Sequence, residues 1–181
     1  MQRGFTLIEV LVSIALFSVV MIVAIGAFLS VIDANRKAQA LQISIDNTYF
    51  AFEHITRLIR TGTTYDCEPF GVLDPHDCSG GSEFQFLDDT GRTIRLQLNN
   101  GVIEQQIRDT SGTWGSWFSL TASDLGVQDF IFHVTNANTK SNGDSVQPTV
   151  TLLIAGVVNQ GKKTETEIHL QTTVVQRVLD L

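Results

Sequence analysis

Hydrophobic and polar positions divide this chain into two regimes. Across residues 5–32 the only ionisable side chain is Glu9. At 1.5 Å per residue, a helix through that stretch crosses about 30 Å of hydrocarbon with length to spare. From Asp33 onward charges return, and the apolar residues keep a helical period: Ala34, Ala38, Leu41, Ile45, Phe52, Ile55 and Ile59 follow alternating four- and three-residue steps, with Thr48 in the missing position. This spacing predicts an amphipathic continuation over residues 33–61, its apolar stripe packed on the chain's own sheet. No proline interrupts residues 5–60, and Gly62 marks the predicted end.

After the helix the period changes. Residues 61–82 are rich in Gly, Pro, Asp and Ser and read as a long loop. Alternation then predicts strands around Phe84 and Phe86, and around Ile94, Leu96 and Leu98. The turn Asn99-Asn100-Gly101 leads into a third strand, from Val102 to Ile107. A segment with Trp114, Trp117 and Phe118 follows, then strands around Phe130 to Val134, Val150 to Ile154, and Ile168 to Val174. A loop from Asn136 to Gln147 separates two of these, and Asn142-Gly143-Asp144 within it reads as a plain turn rather than a calcium loop. Strands gathered after one long helix predict an α+β fold, the helix packed on an antiparallel β-sheet domain spanning residues 62–181.

Composition sharpens this picture in two ways. The net charge of −7 over 181 residues lies almost wholly beyond residue 32, because Arg3 and Glu9 cancel. An acidic domain repels phosphate backbones, so bulk nucleic-acid binding is not expected. The two cysteines, Cys67 and Cys78, both lie in the loop after the helix. In an oxidising compartment they would close a disulfide worth on the order of 3 kcal/mol. The alternatives are free thiols, or a metal site using the neighbouring His76 and Asp77, although the C-x2-C opening usual for zinc is absent. His54, His76, His133 and His169 are scattered, and no nucleophile elbow, phosphate loop or paired-carboxylate motif is present. The chain therefore reads as a non-enzyme with no cofactor.

The amino terminus carries the most specific signal. A secretory signal peptide would have a shorter apolar region followed by small residues at a cleavage site. A plain signal anchor would not place a carboxylate in the apolar run, where a charge at the bilayer centre costs roughly 2.5–3.5 kcal/mol. Near the helix start the cost is smaller, and on residue type alone Glu9 could be a carboxylate reaching the interface. The string Gly4-Phe5-Thr6-Leu7-Ile8-Glu9 resembles the signal of type IV pilins and type II secretion pseudopilins.

That resemblance implies cleavage between Gly4 and Phe5 by a prepilin peptidase on the cytoplasmic face, leaving residues 1–4 as the leader. It also implies N-methylation of Phe5 and an assembly role for Glu9. A cationic amine on Phe5 could then pair with a neighbouring subunit's Glu9 carboxylate inside an apolar bundle, offsetting the desolvation of both. Arg3 keeps the leader cytoplasmic and sends the head domain to the periplasm or cell exterior. The cysteine pair follows the helix instead of lying near the carboxyl terminus, where major type IV pilins carry it. The order of strands, especially the hairpin, the Trp segment and the final strand, resembles J-type minor pseudopilins and related minor pilins. Such a protein would be a single-pass inner-membrane subunit that starts or caps a pilus or pseudopilus. Its partners would be other major and minor pilin-like subunits and the inner-membrane assembly platform. The alternative is a minor pilin whose head binds a surface ligand or DNA.

Overall fold

The computed structural model describes residues 4–67, 69–122, 125–137, 146–158 and 165–177. A long helix, α1 (Leu7–Thr61), is followed by β1 (Thr63–Asp66), β2 (Cys78–Gly81), β3 (Glu83–Leu87), β4 (Thr93–Asn99), β5 (Val102–Arg108), β6 (Phe118–Ser119), β7 (Leu125–Thr135), β8 (Thr149–Val158) and β9 (Thr166–Val175). The architecture is α+β, as the periodicity implies. The chain forms two compact units, Met1–Ala40 and Leu41–Leu181. In the first, the described residues are helical from Leu7 and their large apolar side chains are exposed, except the half-buried Ile32.

The second unit holds two antiparallel sheets, ordered β1-β3-β4-β5-β6 and β2-β7-β8-β9. Alternation along a strand reports which residues face inward but not which strand lies alongside, so the division into two sheets was not readable from the pattern. The inner faces meet through aromatic rings. Phe84 of β3 stacks on Phe132 of β7 at 4.3 Å between centroids, and Phe130 meets Phe132 edge-on at 4.7 Å. Ile55 and Ile59 of α1, both fully buried, complete this core. The Val127 N–H donates to the Gly101 carbonyl at 2.9 Å, tying the hairpin of one sheet to a strand of the other.

Two sequence expectations need correction. The buried face of α1 in this unit is Ser44, Thr48, Ala51, Ile55 and Ile59, whereas Ile45 on the expected stripe is 49% exposed. Thr48, Ile55 and Ile59 of the expected stripe are buried, and Leu41 and Phe52 pack against the core. The face therefore differs only in part, turning Ser44 and Ala51 inward in place of Ile45. Thr48 satisfies its hydroxyl by donating to the Ser44 carbonyl at 2.8 Å. Next, residues 61–82 are not all loop, for they contain β1 and β2. These strands are short, and β1 carries a register shift between Thr63 and Asp66 with Thr64 at φ 59°, so no alternation marks them. Gly62 follows the last helical residue, as expected, and its φ is not in the left-handed region. A Cβ there would lie 2.6 Å from Cδ2 of Phe86, so the position demands glycine for close approach to β3.

The β4–β5 hairpin matches its turn chemistry. Asn99 pairs with Val102 across a two-residue loop in which Asn100 and Gly101 have φ of 48° and 79°, the twist that two-residue hairpins favour. Residues 138–145, including Asn142-Gly143-Asp144, lie outside the described residues.

Candidate functional site

Gly4, Phe5 and Glu9, the residues predicted to serve processing and assembly, lie around the start of α1, within the first unit. Gly4 and Phe5 precede the helix and are exposed, Phe5 by 82%. A Cβ built on Gly4 meets nothing within 4 Å, so the chain itself imposes no need for glycine there. Any such need comes from whatever approaches the Gly4–Phe5 bond.

Thr6, which sequence reasoning passed over, caps the helix. Its Oγ1 accepts from the Glu9 N–H at 3.4 Å, and its carbonyl accepts from the N–H groups of Glu9 and Val10 at 3.1 and 3.3 Å. Thr-x-x-Glu ahead of an apolar run is the signature of a capping box, a signal present in the sequence. Glu9 therefore sits in the first turn, where its negative charge complements the positive end of the helix dipole. Among the described residues no hydrogen bond or ion pair reaches its carboxylate. Ser13 donates to the Glu9 carbonyl at 2.7 Å and Ser18 to the Ile14 carbonyl at 2.8 Å, so these hydroxyls add little polarity to the apolar helix. Among the described residues, α1 is the one helix long and apolar enough to cross a membrane.

In the second unit Cys67 and Cys78 are bonded, with Cα atoms 6.3 Å apart. The neighbours weighed as metal ligands are engaged otherwise: the Asp77 carboxylate accepts from the Ala137 N–H at 2.8 Å, and Nδ1 of His76 bonds the Asp74 carbonyl at 2.7 Å. The bridge joins the end of β1 to the start of β2, one strand from each sheet. Gly81 is required beside it, since a Cβ there would overlap the Cys67 backbone.

His54 of α1 and Gln105 of β5 hydrogen-bond at 3.1 Å, satisfying a polar side chain that is only 1% exposed. Asp88 anchors the β3–β4 turn. Its carboxylate accepts from the N–H groups of Thr90 and Arg92, the Thr90 hydroxyl and the Arg92 guanidinium, at 2.7 to 2.9 Å. Burial alone would raise this carboxyl, but the hydrogen bonds outweigh it and hold the group below the ordinary aspartate value.

Residues 1–25 match the family model described as the prokaryotic N-terminal methylation motif. Neither a curated protein nor a solved structure matches the chain. The motif, the capped apolar helix and its exposed side chains support single-pass membrane anchoring, and they associate the chain in general with pilin subunits and a prepilin peptidase. By its first 25 residues the chain carries the prepilin signal of type IV pilins and pseudopilins, and there it is pilin-like.

Proposed function

We propose that this protein is a minor pilin or pseudopilin that starts or caps a filament of pilin-like subunits. The match of residues 1–25 to the methylation motif carries the reading. In it, residues 1–4 are a leader removed between Gly4 and Phe5, and the Phe5 amine is methylated. Residues 5–32 form the transmembrane assembly segment, residues 33–61 continue the helix, and residues 62–181 are the head, facing the periplasm or cell exterior. Glu9 pairs with the amine of a neighbouring subunit, which gives a function to a carboxylate that has no partner among the described residues. A bridge set just after the helix, Cys67–Cys78, supports a minor subunit over a bulk fibre subunit. Assembly would proceed on the inner-membrane platform with other major and minor subunits.

Intact mass of protein extracted from peptidase-competent cells tests the reading. The expected species begins at a singly methylated Phe5, and replacing Gly4 by Trp leaves the leader attached. Protein that still begins at Met1 in those cells would overturn the assignment.

A further inference from the structure

Both tryptophans of the chain lie on one face of the second unit, away from the core. Arg95 of β4 and Arg108 of β5 alternate with the buried Ile94 and Leu96 and the half-buried Ile107, and so share the outer face of the first sheet. Two loops lay aromatic rings over that face. The Arg95 guanidinium carbon lies 3.9 Å from the Trp114 ring centroid and 4.8 Å from that of Phe70. Trp117 packs on Phe70 at 5.7 Å, and the Arg108 guanidinium lies 5.7 Å from Trp114. An isolated strand-like bridge between Arg108 and Trp114 holds the second loop in place.

The carboxylates nearby have hydrogen-bond partners other than the two guanidinium groups, and Asp66 also lies 3.8 Å from Nδ1 of His76. Glu83 accepts from the Phe70 N–H at 2.9 Å, Asp66 from the Gln85 amide at 2.6 Å, and Asp109 from Ser111 and the Thr113 N–H, both at 2.7 Å. Arg95 spends its Nε on Gln85 at 3.3 Å and a terminal nitrogen on the Gly71 carbonyl at 3.4 Å, and Arg108 spends its Nε on the Gly112 carbonyl at 2.9 Å. Among the described residues neither guanidinium forms an ion pair. Burial, and then the charge of Arg108, hold the Arg95 guanidinium below its ordinary value, while Glu83 acts in the opposite sense. Arg95 alone would suffice as a clamp between the two loops. A second, exposed guanidinium on the same indole adds repulsion that an incoming anion would relieve.

We propose that this Arg95–Arg108–Trp114–Trp117–Phe70 face docks an acidic segment of a partner protein, with a carboxylate on Arg108 and apolar side chains against Trp117 and Phe70. Tryptophan and arginine gathered in a partly desolvated cluster are the composition of interface hot spots. The net charge of −7 limits the segment to few charges: long-range repulsion opposes a polyanion such as nucleic acid, whereas a segment carrying one or two carboxylates needs only the local field.

Because the only tryptophans sit in the face, their emission reports its occupancy directly in the full chain held in detergent. The probes are a short blocked peptide of glutamates and leucines, its lysine counterpart, and oligothymidylate. The expected result is a saturable emission change with the glutamate peptide alone. Arg108→Glu should weaken that response by roughly tenfold, and Trp117→Leu, with Trp114 remaining as reporter, should weaken it too. A response unchanged in both variants, no saturable response in the unaltered chain, or a stronger response to oligothymidylate would overturn the proposal. Far-ultraviolet circular dichroism of each variant confirms that the sheets are intact.

Discussion

Leu16, Val19 and Val23 in the first unit keep 65%, 62% and 67% of their surface exposed, whereas Ile55 and Ile59 near the end of the same helix are fully buried. The residue types are alike, and the helix is one hydrogen-bonded element. The difference lies in what each stretch has to pack against. In Leu41–Leu181, helix and sheets supply one another's apolar surroundings. Among the described residues of Met1–Ala40 the large apolar side chains stay exposed, Ile32 excepted, as suits a helix long and apolar enough to cross a membrane. Hydrophobicity in the first region therefore bears on anchoring, and in the second on folding.

The sharpest way to break that comparison is a matched pair of truncations. Phe84→Ala removes a fully buried ring stacked on Phe132 and should cost about 3–5 kcal/mol of head stability. Leu16→Ala should change it by less than about 0.5 kcal/mol, the range of surface substitutions. Chemical denaturation of both variants in mild detergent, followed by tryptophan emission, decides. Equal losses would mean that residues 4–40 contribute to the fold of the head.

The disulfide comes next. Replacing Cys67 and Cys78 together by Ser should cost on the order of 3 kcal/mol by loss of the loop constraint. Hydrogen exchange should accelerate between the two positions while the β4–β5 hairpin stays protected. In the unaltered chain, denatured but unreduced protein should resist thiol labelling, and reduction should expose two thiols.

A smaller effect is expected at Asp88, whose side chain is 2% exposed. Asp88→Asn should cost about 2 kcal/mol, the scale of hydrogen bonds to a charged acceptor. The pH dependence has a definite sign. Because the folded carboxyl titrates below the ordinary value of about 3.9, its stabilisation is complete above that pH and is lost as pH falls through the lower folded value. Denaturation midpoints measured through that acid range should decline in the unaltered chain, and the decline should be shallower in Asp88→Asn.

The least effect on the head is expected from Glu9→Leu. Membrane insertion should persist, since a charge is removed, and head stability should be unchanged. Recovery with other pilin-like subunits from membranes at matched expression should fall, because an incoming amine would meet no carboxylate. Equal recovery would leave Glu9 with only its first-turn role beneath Thr6.

The legible parts of this molecule are those whose cause lies within a few residues. The apolar run of residues 5–32, the Asn100-Gly101 turn, the alternation in β4 and the Thr6-x-x-Glu9 cap each depend on neighbours along the chain. The methylation motif of residues 1–25 is legible for a different reason, because it is a short linear pattern. β1 and β2 were missed because four-residue strands with a bulge carry no period.

From sequence alone came the long helix, the α+β class, the cysteine pair and the candidate signal Gly4-Phe5-Glu9. Tertiary structure decided which strands share a sheet, which face of α1 turns inward, and why Gly62 and Gly81 cannot carry a side chain. It also brought Phe70, Arg95, Arg108 and Trp114 together from separate loops and strands. Local hydrogen bonding and side-chain period are written residue by residue. Pairings between distant segments depend on how volumes and polar groups fit across the whole core, which no single stretch encodes.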